Sequence, residues 1–173
     1  MTVSTSKFRQ GLKTAWEWIS ANYYRYCICS FVENASSFFF YILLNLMAED
    51  LGASSLALGF LQAISSGTYT IAAILAGCAK EYIRAGYTIR FAVIFCIAAA
   101  LVVQFSSAVW MVFFASMLFN AGTAPFWTAT QTAVGVESPP ATKDKRISLF
   151  SMFHSIGKAC GFAFGGYIWG ALG

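Results

Sequence analysis

Six side chains able to do polar chemistry interrupt the apolar runs of this sequence: Glu33, Asn34, Asn120, Gln131, His154 and Lys158. Glu33 could accept a proton or pair with the Lys158 ammonium. The amides of Asn34, Asn120 and Gln131 and the imidazole of His154 can each donate and accept hydrogen bonds. Their spacing groups them. Ser30, Asn34, Ser37, Tyr41 and Asn45 recur at steps of three and four, as one face of a helix requires. Asn120, Thr123 and Trp127, with Thr130 or Gln131, form a second such stripe, and Ser151, His154 and Lys158 a third. Polar stripes of this kind suit a water-filled path for a small solute or ion. They equally suit hydrogen bonds and a salt bridge that hold helices together.

They do not suit catalysis. His154 is the only histidine, and no Gly-x-Ser-x-Gly or Ser/His/Asp arrangement is present. The five cysteines, Cys27, Cys29, Cys78, Cys96 and Cys160, lack Cys-x-x-Cys spacing and read as small packing residues. Neither an enzyme activity, a metal nor a cofactor is expected.

The elements that must position these residues follow from composition. Only 10% of the 173 residues are charged and 58% are hydrophobic, with a mean hydropathy of +0.66. A soluble domain carries about 25% charged residues, so this surface cannot all face water. The expected partner is the lipid bilayer. Five apolar runs approach the roughly 20 residues that cross it as a helix. They fall at about 26–47, 56–79, 91–105, 109–134 and 147–169. Runs such as Phe38-Phe39-Phe40-Tyr41-Ile42 do not alternate as barrel strands would. The predicted fold is therefore all-α, a polytopic transmembrane helical bundle. Ahead of it, in 1–25, Phe8, Leu12, Trp16, Ile19 and Tyr23 share one helical face, which predicts an amphipathic helix lying at the membrane surface. The first residues lack the uninterrupted apolar core of a cleavable signal. Within the second span Gly59, Gly67 and Gly77 are expected to allow close helix contact, as are Gly157, Gly161 and Gly165 in the fifth.

Charge sets the orientation. Lys7, Arg9, Lys13 and Arg25 precede the first span; Lys80, Arg84 and Arg90 lie in the 77–90 turn; Lys143, Lys145 and Arg146 lie in the loop before the fifth span. The connections after spans one and three contain no Lys or Arg. Basic loops stay on the cytoplasmic side, which places the N-terminus there too. This topology accounts for the net charge of +4 without nucleic acid as a partner.

The 77–90 turn also resembles the cytoplasmic loop after the second span of major facilitator superfamily transporters. That family carries Gly-x-x-x-Asp-(Arg/Lys)-x-Gly-(Arg/Lys)-(Arg/Lys) there. Gly77 and Glu81 fit its first glycine and acidic position, with Arg84, Gly86 and Arg90 as looser equivalents. Two extra residues separate Glu81 from Gly86, and no cation directly follows either. The short loop Leu51-Gly52-Ala53-Ser54 and the series Gly157, Gly161, Gly165 and Gly166 are similar to the family's outer loop and fifth helix. The fourth span lacks the arginine that some members use in proton coupling. The resemblance implies the N-terminal half of a transporter that works by alternating access around a midplane site. It implies a cavity lined by helices one, two, four and five, a peripheral third helix, and a loop motif that latches one conformation. Such a transporter has two six-helix halves, so five spans predict a partial chain. Its missing C-terminal half or other subunits would complete it. The competing expectation is a non-transporting scaffold, sensor or assembly protein built on the same helices.

Overall fold

The computed structural model describes residues 3–79 and 85–172, with side chains over 23–79 and 87–171. Five α-helices follow one another: α1 Val3–Asp50, α2 Ser55–Ala79, α3 Ala85–Gln104, α4 Val109–Glu137 and α5 Lys143–Leu172, with one 3-10 turn at Pro140–Thr142. No strand occurs among the described residues. Each helix contains a stretch long and apolar enough to cross a membrane. In hydrocarbon a helix satisfies its own backbone hydrogen bonds, and apolar side chains need no other partner.

Two boundaries differ from expectation. The surface helix and the first span form one unbroken helix of 48 residues. At 1.5 Å per residue it is about 70 Å long, more than twice the roughly 30 Å of hydrocarbon. Its membrane-length apolar part is Tyr23–Asp50. The side chains of Phe8, Leu12, Trp16 and Ile19 lie outside those described. The third helix starts at Ala85, ahead of the expected 91, because Tyr87 and Ile89 extend the apolar run and nothing breaks it. Arg90 is thus helical, as is the Gly86 backbone. Glu81 and Arg84 lie outside the described residues.

The turn from α1 to α2 is specified locally. Gly52 adopts φ 84°, a left-handed conformation that glycine takes without strain. The Gly52 amide donates to the Glu49 carbonyl at 2.8 Å and the Ala53 amide to that of Ala48 at 2.9 Å. This pair of bonds is a Schellman closure. Ser54 Oγ then accepts from the Ala57 amide at 3.3 Å and caps the start of α2.

Two apolar clusters fix the opposite ends of the bundle. At one end Leu44 and Ala48 of α1 pack with Leu61 of α2, Val112 and Ala115 of α4, and the partly buried Val102 and Val103 of α3. At the other, Tyr23 and Cys27 of α1 pack with Val134 of α4 and Phe150 of α5. Tyr23 Oη donates to the Arg146 carbonyl at 2.6 Å, and Tyr26 Oη donates to Glu137 Oε1 at 2.9 Å. Helix direction therefore alternates, and Arg25, Arg90 and Lys143 share the second end. α4 is the hub. Half of its apolar window is buried, against 11% for α2 and α3.

Small residues set the helix spacing. A Cβ added at Gly157 would meet the Phe31 carbonyl oxygen at 2.5 Å, and one at Gly161 the Ala35 carbonyl oxygen at 2.5 Å. At Gly165 it would meet Ile42 Cδ1 at 3.1 Å. α5 thus lies directly on the α1 backbone along the predicted glycine stripe. Gly122 does the same for α4 against Ala92 of α3, at 2.7 Å. The expectation for α2 fails: added Cβ atoms at Gly59, Gly67 and Gly77 meet nothing within 4 Å. α2 meets α4 through Leu61 and Ser65 instead. Gly161→Val should lower stability by about 1–3 kcal/mol through overpacking, whereas Gly59→Ala should be neutral or raise it by up to about 1 kcal/mol through helix propensity. Reversible unfolding of both variants in mixed detergent micelles measures the contrast.

Candidate functional site

The close contact between α5 and α1 places the third polar stripe beside the first. A cavity of about 300 Å³ results, lined on α1 by Glu33, Asn34, Ser37, Phe38 and Tyr41. α2 contributes Tyr69, α4 contributes Thr123 and Trp127, and α5 contributes His154 and Lys158. Four helices meet there and α3 does not reach it. A second cavity of about 460 Å³ adjoins it and shares Phe38, Tyr41 and Tyr69. Its remaining wall is uncharged: Asn45, Gln62, Ser65, Ser66, Thr70 and Asn120, with Ile42 and Phe162.

A chain of hydrogen bonds ties these walls together. Gln62 Nε2 of α2 donates to Asn45 Oδ1 of α1 at 2.9 Å, and Asn45 Nδ2 donates to the Tyr41 carbonyl at 2.9 Å. Tyr41 Oη donates to Asn120 Oδ1 of α4, and Asn120 Nδ2 donates to the Ser116 carbonyl at 2.8 Å. The Ser116 and Ser65 hydroxyls then bond to each other, which returns the chain to α2. Asn120 is 1% exposed, and both ends of its amide are engaged. Its role here is to hold three helices in register.

The charged cavity is less saturated. Glu33 Oε1 accepts from Ser37 Oγ at 2.9 Å within one turn of α1. Lys158 Nζ lies over the Phe38 ring, 4.9 Å from its centroid. The two charges line one space, but no direct ion pair joins them among the described residues. His154 packs on Trp127 with ring centroids 4.2 Å apart, and its buried Nδ1 has no hydrogen-bond partner. Trp127 in turn stacks on Phe150, 5.3 Å away, which links the cavity to the cluster at the end of the bundle.

Five of the six intramembrane candidates therefore line one or other cavity: Glu33, Asn34, His154 and Lys158 the charged one, Asn120 the uncharged one. Gln131 is exposed on α4 and lines neither. At its level the buried polar residue is Thr130, which bonds the Phe126 carbonyl at 2.6 Å. Tyr69 was not singled out from sequence. It follows Gln62 by seven residues and Ser66 by three, so the same periodicity marks it. Of the loop residues, Gly77 lies in the last turns of α2, and Arg90 is exposed with its guanidinium 5.9 Å from the Tyr87 ring centroid.

A third space, about 540 Å³, opens between α1, α3 and α4 and is walled by Val32, Val93, Ile97 and Phe126, with Glu33 and Ser37 also on its lining. Its apolar walls suit lipid chains rather than a polar solute.

Tyr41→Phe should cost about 0.6 kcal/mol of stability, the mean for an interhelical hydrogen bond in a membrane protein. Asn120→Ala should cost more, since it strips partners from both Tyr41 and α4. Mixed-micelle unfolding of the two variants reads the difference.

The sequence model of the Major Facilitator Superfamily matches residues 26–173, which takes in all five membrane-length stretches except the first residues of α1. No curated protein and no solved structure gives a match.

Proposed function

The chain belongs to the major facilitator superfamily, and on that premise we propose that it forms most of the N-terminal half of a secondary transporter. The reading is of a small solute moved by alternating access, with the solute held in the polar space between α1, α2, α4 and α5. A second half, from further sequence or from another chain, closes the other side of that space. What carries the reading is the location of the polar groups. Carboxylate, ammonium, imidazole and amide side chains converge on cavities inside the apolar bundle, where lipid cannot hydrate them. A scaffold would need such groups only in mutual hydrogen bonds, and the Glu33, His154 and Lys158 arrangement leaves capacity to spare. The basic ends of the helices face the cytoplasm in this reading, and the basic residues Lys80, Arg84 and Arg90 help to orient the bundle.

The full-length protein in proteoliposomes should take up at least one small polar solute with saturable kinetics. Tyr69→Ala should lower that uptake about tenfold, equivalent to about 1.4 kcal/mol of lost interaction. Folded protein that moves no amino acid, sugar, organic anion or organic cation would contradict transport and favour the scaffold.

A further inference from the structure

We infer that the cavity between Glu33 and Lys158 binds a small zwitterion, a solute carrying one carboxylate and one ammonium group, of which an α-amino acid is the simplest kind. The inference rests on the transporter reading above and names the solute for it.

Three observations carry it. The cavity holds one formal negative and one formal positive group, on different helices, and they do not pair with each other. Lys158 Nζ has three donors, and it lies over the Phe38 ring, a face that attracts a cation but accepts no conventional hydrogen bond. Glu33 uses one oxygen, on Ser37, which leaves the other open to a donor. A charge held at membrane depth without a partner is costly, so each group favours a ligand that brings the opposite charge. A simple anion would serve Lys158 and meet Glu33 as a like charge. A simple cation would reverse the problem. A neutral polyol would leave both charges without a directly bonded counterion. A zwitterion meets both requirements and adds no net charge to the interior.

Size and wall chemistry agree. A cavity of about 300 Å³ equals about ten water volumes, room for a ligand of about ten non-hydrogen atoms. Trp127, Tyr69 and Phe38 supply apolar walls for the ligand's side chain. The His154 imidazole, packed on Trp127, adds a polar ring to the same lining. The adjoining cavity lined by Gln62 and Asn45 carries no charge, so it can pass the solute without trapping it.

The test uses the full-length protein in proteoliposomes with three matched probes: L-leucine, isocaproate, which lacks the ammonium, and isoamylamine, which lacks the carboxylate. L-alanine and myo-inositol extend the panel to a smaller zwitterion and a neutral polyol. The expected result is that at least one of the two amino acids binds or is taken up at least about tenfold better than isocaproate, isoamylamine or myo-inositol. Lys158→Met and Glu33→Gln should each remove most of that preference, while Lys158→Arg, which keeps the charge, should retain it. Saturable uptake that favours isocaproate, isoamylamine or myo-inositol would overturn the zwitterion and leave transport standing. So would an amino-acid preference that survives both Lys158→Met and Glu33→Gln. Absence of flux for every solute, with protein that is folded by size-exclusion chromatography, would overturn the transporter reading and the zwitterion with it.

Discussion

Hydrocarbon offers no hydrogen bonds, and that constraint organises this bundle. Polar side chains at membrane depth are favoured where they find a partner on another helix, on their own backbone or in a wet cavity, and the buried Ser30 hydroxyl is an exception. Ser65, Thr128, Thr130 and Ser155 take the local solution and bond the carbonyl four residues back. Gln62, Asn45, Tyr41 and Asn120 take the interhelical one, and their chain of bonds runs from α2 through α1 to α4. Glu33, His154 and Lys158 are left with spare capacity, and they gather in one of the two adjoining cavities that α1, α2, α4 and α5 line. The solvent thus sorts the polar groups into structural and available ones.

Close packing makes that sorting possible. Gly157, Gly161 and Gly165 let α5 rest on the α1 backbone, and this contact alone brings Lys158 over Phe38 and His154 near the α1 stripe. A side chain at any of the three would separate the helices and pull Lys158 away from the space it shares with Glu33. Gly122 plays the matching part between α4 and α3, with a different result. It docks a helix whose far side presents Ile94 and Leu101 outward, both at least 56% exposed. α3 therefore supports α4 from the lipid side without entering the cavity.

Much of this was legible in the sequence because membrane helices carry two strong signals, apolar length and polar periodicity. The five membrane-length apolar helices, the stripes on α1, α4 and α5, and the α5 glycine series all follow from those signals. Where the reading failed, the reason was physical. Gly59, Gly67 and Gly77 have the right spacing for helix contact, but spacing says nothing of which way the stripe faces, and theirs opens onto empty space. Gln131 and Thr130 are adjacent, so a periodicity that tolerates either could not choose between a buried hydroxyl and an exposed amide. The unbroken α1 was hidden because a change from amphipathic to apolar sequence looks like a boundary, although the backbone has no reason to stop. The partnership of Tyr41 with Asn120, across 79 residues, depends on helix rotation and on no local pattern.

The central claim is that the interior between α1, α2, α4 and α5 is wet while the outer face of α3 is not. Single cysteines placed in a background with the native cysteines replaced would test it, through reaction with a membrane-impermeant maleimide in sealed vesicles of both orientations. A thiol reacts as its thiolate, so labelling requires water at the site. Cysteines at Ser37, Ser66 and Tyr69 should label, and those at Ile94 and Leu101 should stay unmodified. Equal labelling of the two sets, or labelling of the α3 positions alone, would contradict the account.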